Sequence, residues 1–166
     1  AGADVLICIG GSSIVDTSKA VALAVANSIR NEADLLSYVI EPGASGGIPQ
    51  SRLSGKPILQ ISLPTTLAGS EFSGVAGITH ASEDAKLLYA DPAFYFDTII
   101  LDPTGTVETP SEIWLSSGMK LLDNTIESIC SRGSQPIVST LALEAMRLLP
   151  LSLRETFQDT RALDPR

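Results

Sequence analysis

The chain has 166 residues, 44% of them hydrophobic, and a formal net charge of −8. A chain of this length can bury most of its apolar surface in one domain. The acidic balance and the scattered basic residues disfavour nucleic acid and anionic lipid as partners. The longest uninterrupted apolar runs end well short of the roughly 20 residues that a membrane helix needs, so we expect no membrane contact.

Three apolar runs predict parallel strands, at about 4–9, 57–63 and 98–102. Each run is apolar on both faces and ends in turn residues, which is typical of strands buried in a parallel sheet. An alanine-rich segment at about 14–28 predicts a helix between the first two strands. Strand, helix and strand in this order form a βαβ unit.

Two intervals lack a regular hydrophobic period. Residues 41–55 are rich in Gly, Pro and Ser and predict a surface loop. Residues 72–97 predict either an irregular excursion or a β-hairpin, because glycines and polar residues break any longer pattern.

The composition changes after Pro103, where two long helices are predicted at about 110–131 and 136–158. Each has a proline near its first turn, and Pro150 is expected to kink or split the second helix. The predicted fold class is therefore α/β, with a parallel sheet segment followed by a helical part. We place the boundary between residues 105 and 106.

The two cysteines, Cys8 and Cys130, fall in a predicted buried strand and a predicted helix. Neither belongs to a CxxC pair or to a spacing typical of metal ligands. A reducing, cytoplasmic setting is the simplest interpretation.

The segment "ICIGGSSIVDTSKA", residues 7–20, passes from strand to helix through two glycines. Gly10 and Gly11 let the backbone come close to a bound group, and the helix beyond them offers free N–H groups and a positive dipole end to an anion. The same turn is equally consistent with a tight connection and nothing more. The pattern is also not GxGxxG, so the usual dinucleotide fingerprint is absent.

The segment "SLPTTLAGSE", residues 62–71, follows the next predicted strand. Because ligands bind beyond the carboxyl ends of parallel strands, this loop and the glycine turn are expected to face one crevice. The hydroxyls of Thr65, Thr66 and Ser70 suit a base, a ribose or a phosphate there. They equally suit a helix cap or a Ser/Thr turn.

Five motifs taken in order resemble those of the iron-containing alcohol dehydrogenases. They are "GGSSIVDTSKA", "PTTLAGSE", Lys86, "DTIILDP" and "TPSEIWLSSGMKLLDNTIES". The forms "PTTLAGSE" and "SSGM" most resemble the maleylacetate reductase branch. Members have further elements before the glycine turn and after the position of Arg166, so the resemblance implies that this chain covers the middle of the fold.

The resemblance implies a dinucleotide-binding domain, a helical domain, and hydride transfer between NAD or NADP and a small carbonyl or alcohol substrate. Lys86 would reach towards cofactor or substrate oxygens, where its charge favours an anionic group. The other implied contacts are Gly10, Gly11 and Ser12 at the pyrophosphate, Asp16 near the nicotinamide side, and Thr65 and Thr66 at the adenine or ribose.

Metal-binding members of that family carry "GMDALxHxxE", in which an Asp and a His one helical turn apart hold one metal. Here the segment is "GMKLLDNTIE", with Lys120 and Asn124 at those two positions. An ammonium is no metal ligand, and an amide is a poor one. The single histidine, His80, precedes the helical part and is interpreted as a surface or turn residue. We expect no family-type iron or zinc site.

Three functions remain open at this stage. The first is a redox enzyme that acts without metal, with ligand in the crevice between the two turns and the helix near Ser111. The second is a non-redox isomerase, dehydratase or cyclase that uses Lys120, Asp123 and Asn124 as acid, base and oxyanion groups. The alternative role of Asp123 is a simple ion pair with Lys120 or with Lys19.

The third function is a non-catalytic interaction domain that pairs through the edge of its sheet. The chain begins almost directly with its first strand, which suggests a trimmed piece or the loss of an upstream half. The sheet edge then predicts a homo-oligomer, or completion of the fold by another chain.

Overall fold

The structure is a computed structural model that describes residues 2–40, 50–80 and 85–162, with side chains to residue 158. The chain divides into two compact units. The α/β unit comprises Ala1–Thr65 and Gly69–Asp102, and the helical unit comprises Thr66–Ala68 and Pro103–Arg166. The predicted fold class, a parallel sheet followed by helices, is confirmed.

Among the described residues, strands occur only in the α/β unit. The strands are β1 (Val5–Gly10), β2 (Leu59–Pro64), β3 (Val75–His80), β4 (Ala85–Ala90) and β5 (Thr98–Ile99). The helices are α1 (Ser12–Ala26), α2 (Glu32–Leu36), α3 (Ser111–Cys130) and α4 (Pro136–Ala162). Short 3₁₀ helices cover Ser70–Phe72, Pro92–Phe94 and Pro103–Thr106.

The parallel sheet has the order β1-β2-β5, and α1 connects its first two strands. This confirms the predicted βαβ unit. The third strand is shorter than the predicted 98–102, since only Thr98 and Ile99 pair with β2.

One face of this sheet is covered and the other is open. Cys8 is buried, whereas Ile7 and Ile9 on the opposite face of β1 are 59% and 63% exposed. The alternation follows from the two-residue period of a strand. The prediction that the strands are buried on both faces is therefore wrong for the described residues, because apolar composition does not reveal how many layers cover a sheet.

Residues 72–97 contain a β-hairpin, which confirms the second of the two predicted alternatives. Strands β3 and β4 pair antiparallel from Val75↔Ala90 to His80↔Ala85. Leu23 of α1 packs with Ala76, Tyr89 and Phe94 in one buried cluster. Residues 41–49 of the predicted loop lie outside the described residues, and residues 50–55 have no regular structure.

In the helical unit, α3 and α4 form within a residue of their predicted N-terminal ends. The two helices pack closely at Gly118, where a Cβ atom would lie 2.5 Å from a methyl carbon of Leu153. The Nε1 atom of Trp114 donates to Oγ1 of Thr156 at 3.1 Å. Pro150 lies inside α4 without splitting it, contrary to one of the two expected effects.

One helix in the described part, over Pro136–Gln158, is long and apolar enough to cross a membrane by length and composition. Glu144 and Arg147 interrupt its apolar run, so no uninterrupted apolar stretch of membrane length is visible in the sequence. Only 11% of the most apolar 18-residue stretch of this helix is buried. A single helix of this kind is weak evidence, since core helices of soluble proteins pass the same test.

Candidate functional site

The turn between β1 and α1 requires glycine at its first position. Gly10 has φ +154°, and a Cβ atom there would lie 2.7 Å from Cγ1 of Ile14. Gly11 precedes α1 with φ −83°, which any residue adopts, and no side chain caps the helix. The turn therefore brings bare backbone to the start of a 15-residue helix, where first-turn N–H groups are available to an anion.

The second turn lies beside the first. Gly10 is in register with Pro64 across β1 and β2, and the Thr65 N–H donates to the Gly10 carbonyl at 3.0 Å. The carboxyl ends of the two strands thus meet as the sequence predicts. Thr66 follows directly but belongs to the helical unit.

A cavity of about 310 Å³ opens at the start of α1. Two elements of the α/β unit form it, α1 and the β3–β4 hairpin. The cavity brings together Ser12, Asp16 and Lys86, three of the residues singled out in the sequence. Its lining residues are Ser12, Ser13, Asp16, Thr17, Gly77, Ile78, Thr79 and Lys86.

The cavity carries one carboxylate and one ammonium. Asp16 is 9% exposed, and its Oδ2 accepts a hydrogen bond from the Gly77 N–H at 3.1 Å. Lys86 is exposed. Its ammonium group makes no hydrogen bond or ion pair with any residue of the described ranges. The carboxylate is thus held by the protein, while the ammonium remains available to a ligand.

Lys19, which no motif argument assigns to the site, lies at the centre of this region. Its side chain is fully buried, and its Nζ donates to the carbonyls of Ser70, Ser73 and Val75 at 2.6, 2.8 and 2.7 Å. Burial lowers the pKa of Lys19 to about 8 against the attraction of Asp16 and Glu71. A signal was present, since Lys19 stands one turn after the buried Val15 on the inner face of α1.

The loop that Lys19 holds contains the predicted contact Ser70. Ser70 begins the 3₁₀ helix after Gly69, whose φ is +74°. Its carbonyl accepts from Lys19, and its buried hydroxyl has no hydrogen-bond partner among the described residues. Glu71, next in the chain, is 4% exposed, and burial raises the pKa of its carboxyl. The buried Lys19 thus holds the loop through its carbonyls, and the Ser70 hydroxyl has no partner among the described residues.

The three predicted catalytic residues lie on α3 in the helical unit. Nζ of Lys120 and Oδ2 of Asp123 form an ion pair at 2.6 Å, the first of the two alternatives for Asp123. This hydrogen bond raises the pKa of Lys120. Nδ2 of Asn124 donates to the carbonyl of Ala68 at 3.5 Å, which ties α3 to the end of the "PTTLA" segment.

His80 is not a surface or turn residue, so that prediction is wrong. It ends β3, is 8% exposed, and places Nε2 3.0 Å from Oε1 of Glu32 in α2. The reason is tertiary, because α2 packs beside the hairpin. His80 therefore joins two elements of the α/β unit and does not line the cavity.

A family model described as iron-containing alcohol dehydrogenase matches residues 1–103. The chain belongs to this family. The matched segment contains α1 and the β3–β4 hairpin, and therefore every residue that lines the cavity. The glycine turn and the "PTTLAGSE" loop also lie within it.

Curated relatives of the chain include a dehydrogenase and a maleylacetate reductase. Dehydrogenase FUM7 of Gibberella moniliformis is 34% identical over 130 residues, which cover 76% of this chain and 30% of that protein. Maleylacetate reductase 2 of Cupriavidus pinatubonensis is 30% identical over 135 residues, which cover 81% and 37%. The chain therefore spans about a third of the length of these curated relatives.

A solved structure of the family shows the same fold. Sulfoacetaldehyde reductase from Bifidobacterium kashiwanohense, crystallised in complex with NAD+, matches with a TM-score of 0.73 at 29% identity. The match covers 92% of this chain and 39% of that chain. The likeness extends beyond residue 103, where the match to the family model ends.

The family name implies iron, and the described residues do not fit a metal. Lys120 and Asn124 occupy the two positions that the resemblance assigns to ligands, and Lys120 is committed to Asp123. Among the described residues, no three His, Cys, Asp or Glu side chains cluster as a metal site requires. We therefore derive no chemical step from a metal.

Proposed function

We propose that the chain carries the cofactor-binding part of an NAD-linked oxidoreductase that interconverts a carbonyl and an alcohol on a small molecule. The observation that carries the proposal is the cavity in which the start of α1 meets Lys86. A helix N-terminus and the Lys86 ammonium, which no residue of the described ranges pairs, both favour an anion. Because the matching sulfoacetaldehyde reductase was crystallised with NAD+, we take the anion to be the pyrophosphate of NAD.

The residues of the turn fit the pyrophosphate of a dinucleotide. Gly10 leaves no room for a side chain, so bare backbone borders the first turn of α1. Ser12 adds a hydroxyl at the N-terminal end of α1. Lys86, which lies on the hairpin, neutralises the charge of the cofactor phosphates. Thr65 and Ser70 complete the proposed contacts of the α/β unit with the ribose and adenine.

When bound, the nicotinamide supplies or accepts the hydride at the substrate carbon. The protein must then orient the reactants and stabilise charge at the substrate oxygen. Asp16 is proposed to face the nicotinamide side, where its bond to Gly77 fixes the carboxylate. Lys120 is proposed to polarise the carbonyl oxygen, since an ammonium can stabilise a developing oxyanion without a metal.

Calorimetry with NADH and NADPH tests the cofactor site. The wild-type chain is expected to bind one of them, and Gly11→Val is expected to abolish binding because a branched side chain would stand where the cofactor approaches. Gly105→Val is the matched control, since no atom outside its neighbours lies within 4 Å of its Cβ position. Absence of binding to wild type at millimolar cofactor would contradict the proposal.

A second candidate is a non-redox conversion of a small carbonyl compound, such as an isomerisation, dehydration or cyclisation. Lys120 and Asn124 at the two ligand positions favour it, because an ammonium and an amide can stabilise an oxyanion but do not hold iron. The two candidates differ in cofactor dependence. Turnover that depends on Lys120 and proceeds without NADH or NADPH would support this second function.

A further inference from the structure

Gly77 is the cavity residue whose identity no motif explained. It sits in the middle of β3 and contributes to the same cavity as Asp16 and Lys86. We infer that Gly77 is a positioning residue that sets where the Lys86 ammonium stands relative to the bound cofactor. This inference rests on the proposed function and deepens it.

The hairpin register places Lys86 so that its side chain can reach over Gly77. Lys86 is opposite Thr79, and Gly77, two residues along β3, is opposite Leu88. Residues two apart on a strand share a face, and diagonal neighbours on that face are within reach of a long side chain. Because Gly77 at the diagonal position has no side chain, it leaves space on this face of the hairpin for the lysine side chain. We call this space next to Gly77 the channel.

The Lys86 side chain occupies that channel. A Cβ atom at position 77 would overlap Cε of Lys86 and would lie 3.0 Å from Nζ. The colliding atoms belong to the far end of a flexible side chain, so the lysine would move and the backbone would not. A side chain at position 77 is thus expected to displace the ammonium while the hairpin still folds.

The backbone of Gly77 does not require glycine. Its φ lies outside the left-handed range that favours glycine, and β3 pairs regularly on both sides of it. Glycine within a strand commonly marks a site where another group comes close. At Gly77 that group is Lys86.

Gly77 also contacts the negatively charged group of the cavity, the Asp16 carboxylate. Its N–H donates to Oδ2 of Asp16 at 3.1 Å, so one residue orients the carboxylate by hydrogen bonding and admits the ammonium by the absence of a side chain. Gly77 therefore determines the positions of both the Asp16 carboxylate and the Lys86 ammonium. Any substitution that keeps the N–H but adds a Cβ separates the two effects.

The test is a double-mutant cycle on the full chain, with NADH affinity measured by calorimetry. Lys86→Ala is expected to weaken NADH binding about tenfold or more, as loss of a charge-assisted contact does. Gly77→Ala is expected to weaken it at least about fivefold, because the ammonium is displaced. In the Lys86→Ala background, Gly77→Ala is expected to change the affinity less than about twofold, because the two sites are coupled.

Gly105→Ala is the matched control, since an added Cβ there meets open space, and it should leave NADH affinity unchanged. Independent effects of Gly77→Ala and Lys86→Ala would overturn the inference, as would an unaltered affinity of Gly77→Ala when Lys86→Ala weakens binding. Those outcomes leave the proposed function standing. If wild type binds neither NADH nor NADPH, the proposed function fails and the inference fails with it.

A second measurement follows the lysine directly. With lysine side chains ¹³C-labelled at Cε, the Lys86 resonance should shift in Gly77→Ala and stay in place in Gly105→Ala. An unmoved Lys86 resonance in Gly77→Ala would show that the channel does not position the side chain, whatever the cofactor affinity.

Discussion

The ammonium nitrogen of Lys19 lies 2.6 Å from the carbonyl oxygen of Ser70. The same nitrogen donates to the carbonyls of Ser73 and Val75, so all three ammonium protons have an acceptor. One buried side chain thus connects the middle of α1 to the loop after β2 and to the first residue of the hairpin. The cavity lies between the elements that this residue holds together.

Lys19→Met is expected to lower the free energy of unfolding by about 2–4 kcal/mol, because buried carbonyls lose a charged donor. Urea unfolding of wild type and variant measures the difference. Lys56→Met, an exposed lysine of the same unit, is the control and should leave the midpoint unchanged. Equal effects of the two substitutions would show that the buried contacts do not stabilise the fold.

The stability gap between wild type and Lys19→Met is expected to depend on pH. Burial lowers the pKa of Lys19 from 10.5 to about 8, so between these values the unfolded chain binds more protons than the native chain. The stability of wild type relative to the variant should therefore rise from pH 8 to about pH 10.5, by at most about 3 kcal/mol.

Unfolding at pH 7.5, 9 and 10 in both proteins measures this gap, and the comparison cancels groups that they share. Tyr89 is such a group, since burial raises its pKa and its stabilising contribution is lost at high pH in both proteins. A gap that narrows as the pH rises would contradict the expectation.

Gly10→Ala is expected to destabilise the chain by roughly 1–3 kcal/mol, because alanine at φ +154° is strained and its methyl group meets Ile14. Thermal unfolding followed by circular dichroism measures the loss. Gly11→Ser is the contrast, since φ −83° suits any residue and serine is a favourable helix cap. Similar losses at both glycines would mean that the backbone strain and the Ile14 contact at Gly10 are not the source of the loss.

Lys120→Met is expected to leave the unfolding free energy unchanged within error, because both partners of its ion pair are about half exposed and such pairs stabilise little. Turnover should nevertheless fall at least about a hundredfold if the ammonium stabilises an oxyanion. Arg147→Met removes the matching exposed pair with Glu144 on α4. It should change neither stability nor turnover, so a loss of turnover in both variants would point away from Lys120.

Local pattern was sufficient for the turn residues of the site. Gly10 and Gly11 follow from a strand, two glycines and a helix that leave an N-terminus bare, which depends only on neighbours in the chain. Ser12, Asp16 and Lys86 follow from the family resemblance. Their presence in one cavity could not be predicted from local pattern, because it depends on how the hairpin packs on α1.

The sequence by itself determined the order and type of the long elements, since hydrophobic period and turn residues act over a few positions. Only the tertiary structure decided the burial of Lys19, the pairing of His80 with Glu32 and the passage of Lys86 over Gly77. Each of these joins residues on different elements, so no local propensity encodes it. The physical reason is that a buried charge needs partners, and the fold alone brings distant carbonyls and carboxylates within hydrogen-bonding distance.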